Sequence, residues 1–198
     1  MPFAVSGAAV MLQGTDVVVG TTVGFPHGVN TTTAKIVEAE QAIRDGAAEL
    51  DMVVNISLAI AGRYDEVARE VEIIAALAHR SFARLKVIFE NCYLRDDAKI
   101  ELCRVCSQAG ADWVKTSTGY GSGGATDEDL ILMRKHTPEN VQVKAAGGVR
   151  TLERLLEVRK LGCSRAGATR TAAILNEARS QLGMEMITGF KGDSPSGY

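Results

Sequence analysis

Two hydrophobic rhythms take turns along the chain. Short β-branched or apolar runs with a period of two occur at residues 17–24, 49–55, 85–90, 111–115, 141–146 and 164–168. Each gives way to a stretch in which apolar residues recur every three or four positions. These stretches predict helices over about 31–45, 65–79, 96–109, 127–135, 152–161 and 171–182. Asn30 or Thr31 is placed to cap the first of them, and Gly46, Gly110 and Gly162 stand where helices end. A further helix is expected over 2–13, offering Val5, Ala8, Ala9, Val10 and Leu12 to a buried face and ending at Gly14. Residues 1–182 therefore read as one domain. Residues 183–198, with their Gly, Ser and Pro, read as a mobile tail.

Strand followed by helix, six times over, predicts a parallel sheet with right-handed crossovers. Along the strands Asp51, Asn55, Lys86, Glu90, Lys115, Gln142 and Lys144 fall at one parity. Met52, Val54, Val87 and Phe89 fall at the other and can pack on helices. Polar groups gathered toward strand carboxyl ends suit a (β/α) TIM-type barrel, here incomplete at about six βα units. A doubly wound open sheet is the alternative, but the Gly-x-Gly-x-x-Gly turn expected after its first strand is absent.

Composition narrows the function classes. The chain has 198 residues, 46% of them hydrophobic, enough for one good core, and a formal charge of −2. That charge argues against nucleic acid or an anionic membrane as the main partner. No apolar run approaches the ~20 residues that span a bilayer, and the first residues lack the basic start of a signal peptide. Cys92, Cys103, Cys106 and Cys163 show no disulfide spacing, and Cys103-x-x-Cys106 falls inside a helical pattern. A reduced, cytoplasmic protein is expected. No His/Asp/Glu cluster has metal-ligand spacing, and His27, His79 and His136 read as structural or solvated, so neither metal nor cofactor is expected.

The candidate chemistry lies in two matching strand ends. Trp113-Val114-Lys115 and Val141-Gln142-Val143-Lys144 each finish on a lysine and open into glycines. On parallel neighbours both ammonium groups would face one pocket, where like charge and burial favour a neutral amine. Lowering a lysine pKa to about 7–8 raises the reactive fraction more than a hundredfold at neutral pH and yields a Schiff-base nucleophile. Three glycine-bearing loops follow successive strands: Gly119 to Gly124, Gly147-Gly148-Val149-Arg150, and Gly167-Ala168-Thr169-Arg170. The last two each carry an arginine. Exposed backbone N–H groups at helix starts favour an anion, which points to a phosphorylated substrate.

The sequence Asp112-Trp113-Val114-Lys115-Thr116-Ser117-Thr118-Gly119, with Gly123-Gly124-Ala125-Thr126 behind it, resembles the signature of the deoxyribose-phosphate aldolases. So do Val143 to Arg150, Leu50 to Asn55, Gly24-Phe25-Pro26-His27-Gly28 and Lys86 to Glu90, in the right order over nearly the whole chain. The resemblance implies reversible aldol cleavage of 2-deoxy-D-ribose 5-phosphate to D-glyceraldehyde 3-phosphate and acetaldehyde. It implies Lys115 as the Schiff-base residue, Lys144 as the group that lowers its pKa, and Asp51 in proton transfer. Gly119, Gly147, Gly148, Val149, Arg150, Gly167 and Thr169 would hold the 5-phosphate, and the C-terminal Tyr198 would help move the proton. The resemblance begins past the family's first two strands. An incomplete barrel with open edges implies a homodimer or higher homo-oligomer, or else a weakly active or inactive remnant that binds sugar phosphates or serves as an assembly subunit. A class I aldolase for a related phosphorylated sugar is a further reading.

Overall fold

The computed structural model describes residues 1–189. Six strands form one sheet in which every neighbouring pair is parallel and spatial order follows chain order. They are β1 (Gly20–Val23), β2 (Glu49–Val53), β3 (Arg84–Ile88), β4 (Trp113–Lys115), β5 (Gln142–Ala146) and β6 (Cys163–Gly167). Between and around them run α1 (Val5–Met11), α2 (Thr32–Arg44), α3 (Ile56–Ile60), α4 (Tyr64–Arg80), α5 (Asp96–Gln108), α6 (Asp127–His136), α7 (Leu152–Lys160) and α8 (Thr171–Gln181). A sheet of six strands that steps five times to the next neighbour in one direction, with a helical crossover at each step, is an incomplete (β/α) barrel.

Strand register sorts the side chains into two faces. Leu50, Met52, Val87, Val114 and Val143 are buried at one parity. They join one core with Ala39, Val67, Val71, Ile74, Leu102, Leu130 and Met133 from the helices. At the other parity Asp51 pairs in register with Lys86, Lys86 with Trp113, and Lys115 with Lys144. The inner face is thus polar toward its carboxyl end. Below Lys115, the Trp113 ring is ringed by the cations of Arg84, Lys86 and Arg165 at 5.3–5.7 Å and donates from Nε1 to Ser164.

Three local differences from the expected elements have physical causes. The first strand is only Gly20–Val23, and Val17 and Val18 are 61% and 50% exposed, so β-branched residues alone did not extend it without a partner strand. Asn55 is not a strand residue. Its side chain accepts from the Leu58 N–H and caps α3, a five-residue helix too short to show periodicity. Lys35, in the first turn of α2, is fully buried, where a lysine on a helix is ordinarily solvated. Its Nζ donates to Glu70 at 2.7 Å and to the Val53 carbonyl at 2.8 Å, tying α2 to α4 and to the end of β2. Burial lowers its pKa, against the pull of Glu70 and Glu38.

The loop after β1 folds over the end of β2. Gly28 has φ +68°, and a Cβ there would lie 1.8 Å from the Val54 carbonyl oxygen. Only glycine tolerates both conditions. Gly28→Ala is therefore expected to cost at least ~3 kcal/mol, read as a fall in the urea midpoint with unchanged slope. A midpoint within error of the parent would show that the loop can move away from β2.

Candidate active site

The site is built on the inner face of β2, β3, β4 and β5: Asp51, Lys86 and Lys144 stand mid-strand and Lys115 ends β4, and a single carboxylate organises three ammonium groups. Lys115 Nζ donates to Asp51 Oδ2 at 2.7 Å, and Lys144 Nζ donates to the same oxygen at 2.8 Å. Lys86 Nζ takes the other oxygen, Oδ1, at 2.9 Å. Lys86 also pairs with Glu49 at 2.7 Å, and Glu49 in turn receives Arg165 at 2.9 Å. The result is a ladder of alternating charge, from the exposed Arg165 through Glu49 and Lys86 to Asp51, closed at its upper end by Lys115 and Lys144. Lys115 and Asp51 are each under a tenth exposed, and Lys144 is half-buried.

The electrostatics follow from that crowding. Burial works to raise the Asp51 pKa, but Lys115, Lys144 and Lys86 together outweigh it and hold the carboxyl well below the usual carboxylate range. Asp51 is a fixed anion at neutral pH. Burial pushes Lys144 below the ordinary ammonium value; Asp51 pulls it back, and Lys115 and Lys86 push it further down. Lys144 is thus an amine whose proton is held less firmly than in water. It also shares an acceptor oxygen with Lys115, so a proton on either amine is one carboxylate oxygen from the other.

The glycine loops gather on the same face. Gly119 follows β4, Gly147 and Gly148 follow β5, and Gly167 ends β6. Gly147 and Gly148 have φ of +84° and +85°, and Gly124 packs so tightly on Gly147 that a Cβ on it would lie 2.6 Å from that backbone. The Ala125 N–H donates to the Gly147 carbonyl, and Thr116 Oγ1 bridges to the Ala146 backbone, so the loops after β4 and β5 are sewn together. Nothing lies within 4 Å of where a Cβ on Gly119 or Gly148 would stand. Val149 is only 2% exposed and joins the core. Arg150 and Thr169 are exposed, and among the described residues no ion pair occupies Arg150. Tyr198 lies outside the described residues.

The profile of the DeoC/LacD family aldolases matches residues 7–186. The chain belongs to that family. The deoxyribose-phosphate aldolase of Rhodopirellula baltica is 57% identical over the whole chain, which spans 82% of that protein. The one from Caldanaerobacter subterraneus subsp. tengcongensis is 48% identical over 86% of this chain and 74% of its own length. Among solved structures, the tetrameric deoxyribose phosphate aldolase of Aeropyrum pernix superposes with a TM-score of 0.84 at 30% identity, covering 91% of this chain and 76% of that one. An aldolase designated QR15 superposes with a TM-score of 0.83 at 36% identity, covering 91% and 81%. The strand-end lysines and the carboxylate between them are therefore the candidate centre of a DeoC/LacD aldolase.

Two members of this centre, Lys86 and Glu49, are missing from the set that the sequence nominated. Their signal was available as parity, since Glu49 lies two residues before Asp51 and Lys86 sits in register beside it. Cys103 and Cys106 stand apart from the chemistry. Burial raises the Cys103 thiol to about 11 and Cys106 well above its normal value, so the C-x-x-C is an inert packed pair. No helix among the described residues is long and apolar enough to cross a membrane.

Proposed function

We propose that this chain catalyses reversible cleavage of 2-deoxy-D-ribose 5-phosphate to D-glyceraldehyde 3-phosphate and acetaldehyde through a Schiff base on Lys115. The observation that carries the reading is the sharing of one Asp51 oxygen by two strand-end lysines. The names of the Rhodopirellula and Caldanaerobacter relatives support the choice of substrate.

Once its ammonium has given up a proton to solvent, the Lys115 amine adds to the C1 aldehyde, and the carbinolamine loses water to give an iminium. A base takes the C3 hydroxyl proton, and the C2–C3 bond breaks. Its electron pair moves through C2 to the iminium nitrogen, so D-glyceraldehyde 3-phosphate departs and an enamine remains. Protonation of the enamine carbon and hydrolysis release acetaldehyde and restore the amine. Lys144 suits the proton-carrying role because burial loosens its proton. Asp51 remains anionic, orients both nitrogens and stabilises the iminium charge. The loops bearing Gly119, Gly147, Gly148, Gly167 and Thr169, with the Val149 backbone and Arg150, are the proposed cradle for the 5-phosphate.

The deciding experiment is borohydride reduction in the presence of acetaldehyde, read by intact mass and peptide mapping, with native mass determined on the same sample. An adduct on Lys115 is expected. A folded protein that gives no adduct overturns the reading and leaves sugar-phosphate binding or assembly as its role. For Arg150→Ala we expect KM to rise about tenfold for the 5-phosphate, with little change for unphosphorylated deoxyribose. Equal effects on the two substrates would remove Arg150 from the phosphate cradle.

A homo-oligomer in the cytoplasm completes this reading. The tetrameric Aeropyrum relative and four free cysteines support it, and the native mass tests the assembly.

A further inference from the structure

Glu90 is a buried acid that no step above uses. It lies just beyond β3, only 2% exposed, with its backbone in the left-handed region at φ 58°. Side chains rarely adopt that conformation, so the surroundings must hold it. They do so from both sides. The Phe89 N–H donates to the Lys115 carbonyl and the Asn91 N–H to the Thr116 carbonyl, which carries the β3–β4 ladder past the end of both strands. The Glu90 carboxylate is then delivered to the loop that leaves Lys115. It accepts the Thr118 N–H at 3.3 Å and the Thr118 hydroxyl. The Thr118 oxygen accepts the Tyr120 N–H at 3.0 Å, and the Tyr120 ring meets Phe25 edge-on at 5.2 Å. Both neighbours of Gly119 are thereby fixed, one by Glu90 directly and the other through Thr118. The next turn is equally confined, since a Cβ on Gly121 would lie 2.7 Å from Cys92 Sγ and 3.2 Å from the Glu90 carboxyl.

We infer that Glu90 is a positioning residue that holds the Gly119 amide in place for the substrate's phosphate, by clamping Thr118 in the loop after β4. The inference rests on the proposed phosphate cradle. A carboxylate cannot itself approach a phosphate favourably, and Glu90 has no need to. It acts from beneath, through charge-assisted hydrogen bonds that leave the anion-facing side of the loop free. Residues 116–124 thus have two anchors: the Thr116–Ala146 and Gly124–Gly147 seam toward β5, and Glu90 toward β3.

The test compares the parent with Glu90→Ala, Glu90→Gln and Thr118→Val, using 2-deoxyribose 5-phosphate and unphosphorylated 2-deoxyribose. Glu90→Ala is expected to raise KM for the phosphorylated sugar about tenfold or more, while kcat/KM for the unphosphorylated sugar moves less than about threefold. Glu90→Gln should retain most of the parent KM, because its amide can accept from the Thr118 N–H and donate to the Thr118 hydroxyl oxygen. Thr118→Val, which keeps the buried acid but removes the hydroxyl, should shift KM in the same direction as Glu90→Ala. If Glu90→Ala fails to fold, the Gln and Val variants decide. Equal losses on both sugars, or no loss on either, overturn the positioning role. If the parent neither turns over nor traps acetaldehyde on Lys115, the aldolase reading fails and Glu90 is judged by calorimetry with inorganic phosphate. Weaker binding in Glu90→Ala and Thr118→Val then supports the clamp, whereas unchanged affinity, or no phosphate binding by the parent, overturns it.

Discussion

Lys115→Ala is expected to abolish turnover, with a fall of at least ~10⁴-fold in kcat, and to remove the borohydride adduct altogether. The size of the effect follows from what the covalent route replaces. Without an iminium, cleavage of the C2–C3 bond has to leave a carbanion beside an unactivated aldehyde. No residue in this centre substitutes for the missing nitrogen in place. Lys144 lies one strand over, and Lys86 is engaged by Asp51 and Glu49 on the far side of the cluster. The variant should remain folded, because it removes one of three cations around a single carboxylate and leaves Lys86 and Lys144 to compensate Asp51. Kinetics, trapping and a melting curve on the same preparation test this together. An adduct that reappears on Lys144 with appreciable turnover would show that the two strand-end lysines are interchangeable, and would overturn the assignment of Lys115 as the sole nucleophile.

Lys115 and Lys144 were legible in the sequence because strand geometry does most of the work. A period of two fixes which face a residue takes, and two successive β-rich runs that reach a Lys shortly before a Gly-rich loop bring both ammonium groups level on one face, although β5 itself continues two residues past Lys144 to Ala146. The alternation of six strands with crossover helices was legible from the two periods, although the interval between β2 and β3 also holds the short helix α3, which no periodicity showed. Pairing was less legible. Parity places Glu49, Asp51, Lys86, Lys115 and Lys144 on one face, but which lysine takes which oxygen depends on strand stagger, which no single strand encodes. The Glu90–Thr118 clamp was hidden altogether, because it depends on a left-handed backbone at a non-glycine residue and on a loop with no periodicity. Lys35 was hidden by chemistry rather than geometry. A lysine in an amphipathic helix reads as solvated unless its partner, here Glu70 on another helix, is already known.

Asp51→Asn tests the organising role of the carboxylate, through both rate and stability. We expect kcat to fall by about 10²–10⁴-fold, because the amide cannot accept from three ammonium groups, and neither Lys115 nor Lys144 keeps its place or its proton path. Stability should fall by roughly 3–5 kcal/mol near neutral pH, since removing one partner from a buried ion cluster leaves like charges facing one another. The pH dependence separates this cause from simple packing. In the parent, the Asp51 pKa is depressed on folding, so its contribution is fully present above the unfolded value of about 3.9 and is lost as pH falls through the folded value. The gap between parent and variant should therefore close in acid. Lys144 acts at the other end. Its folded pKa is lowered, so between that value and about 10.4 the unfolded chain holds more protons, and stability rises with pH through that window. In the variant the carboxylate that pulled Lys144 back up is gone, and the window widens downward. The gap should thus be largest around neutrality and narrow on both sides. A melting-temperature difference that stays constant from acid to alkaline pH would mean that Asp51 acts only through its shape, and the view of the site as three cations held by one anion would have to be abandoned.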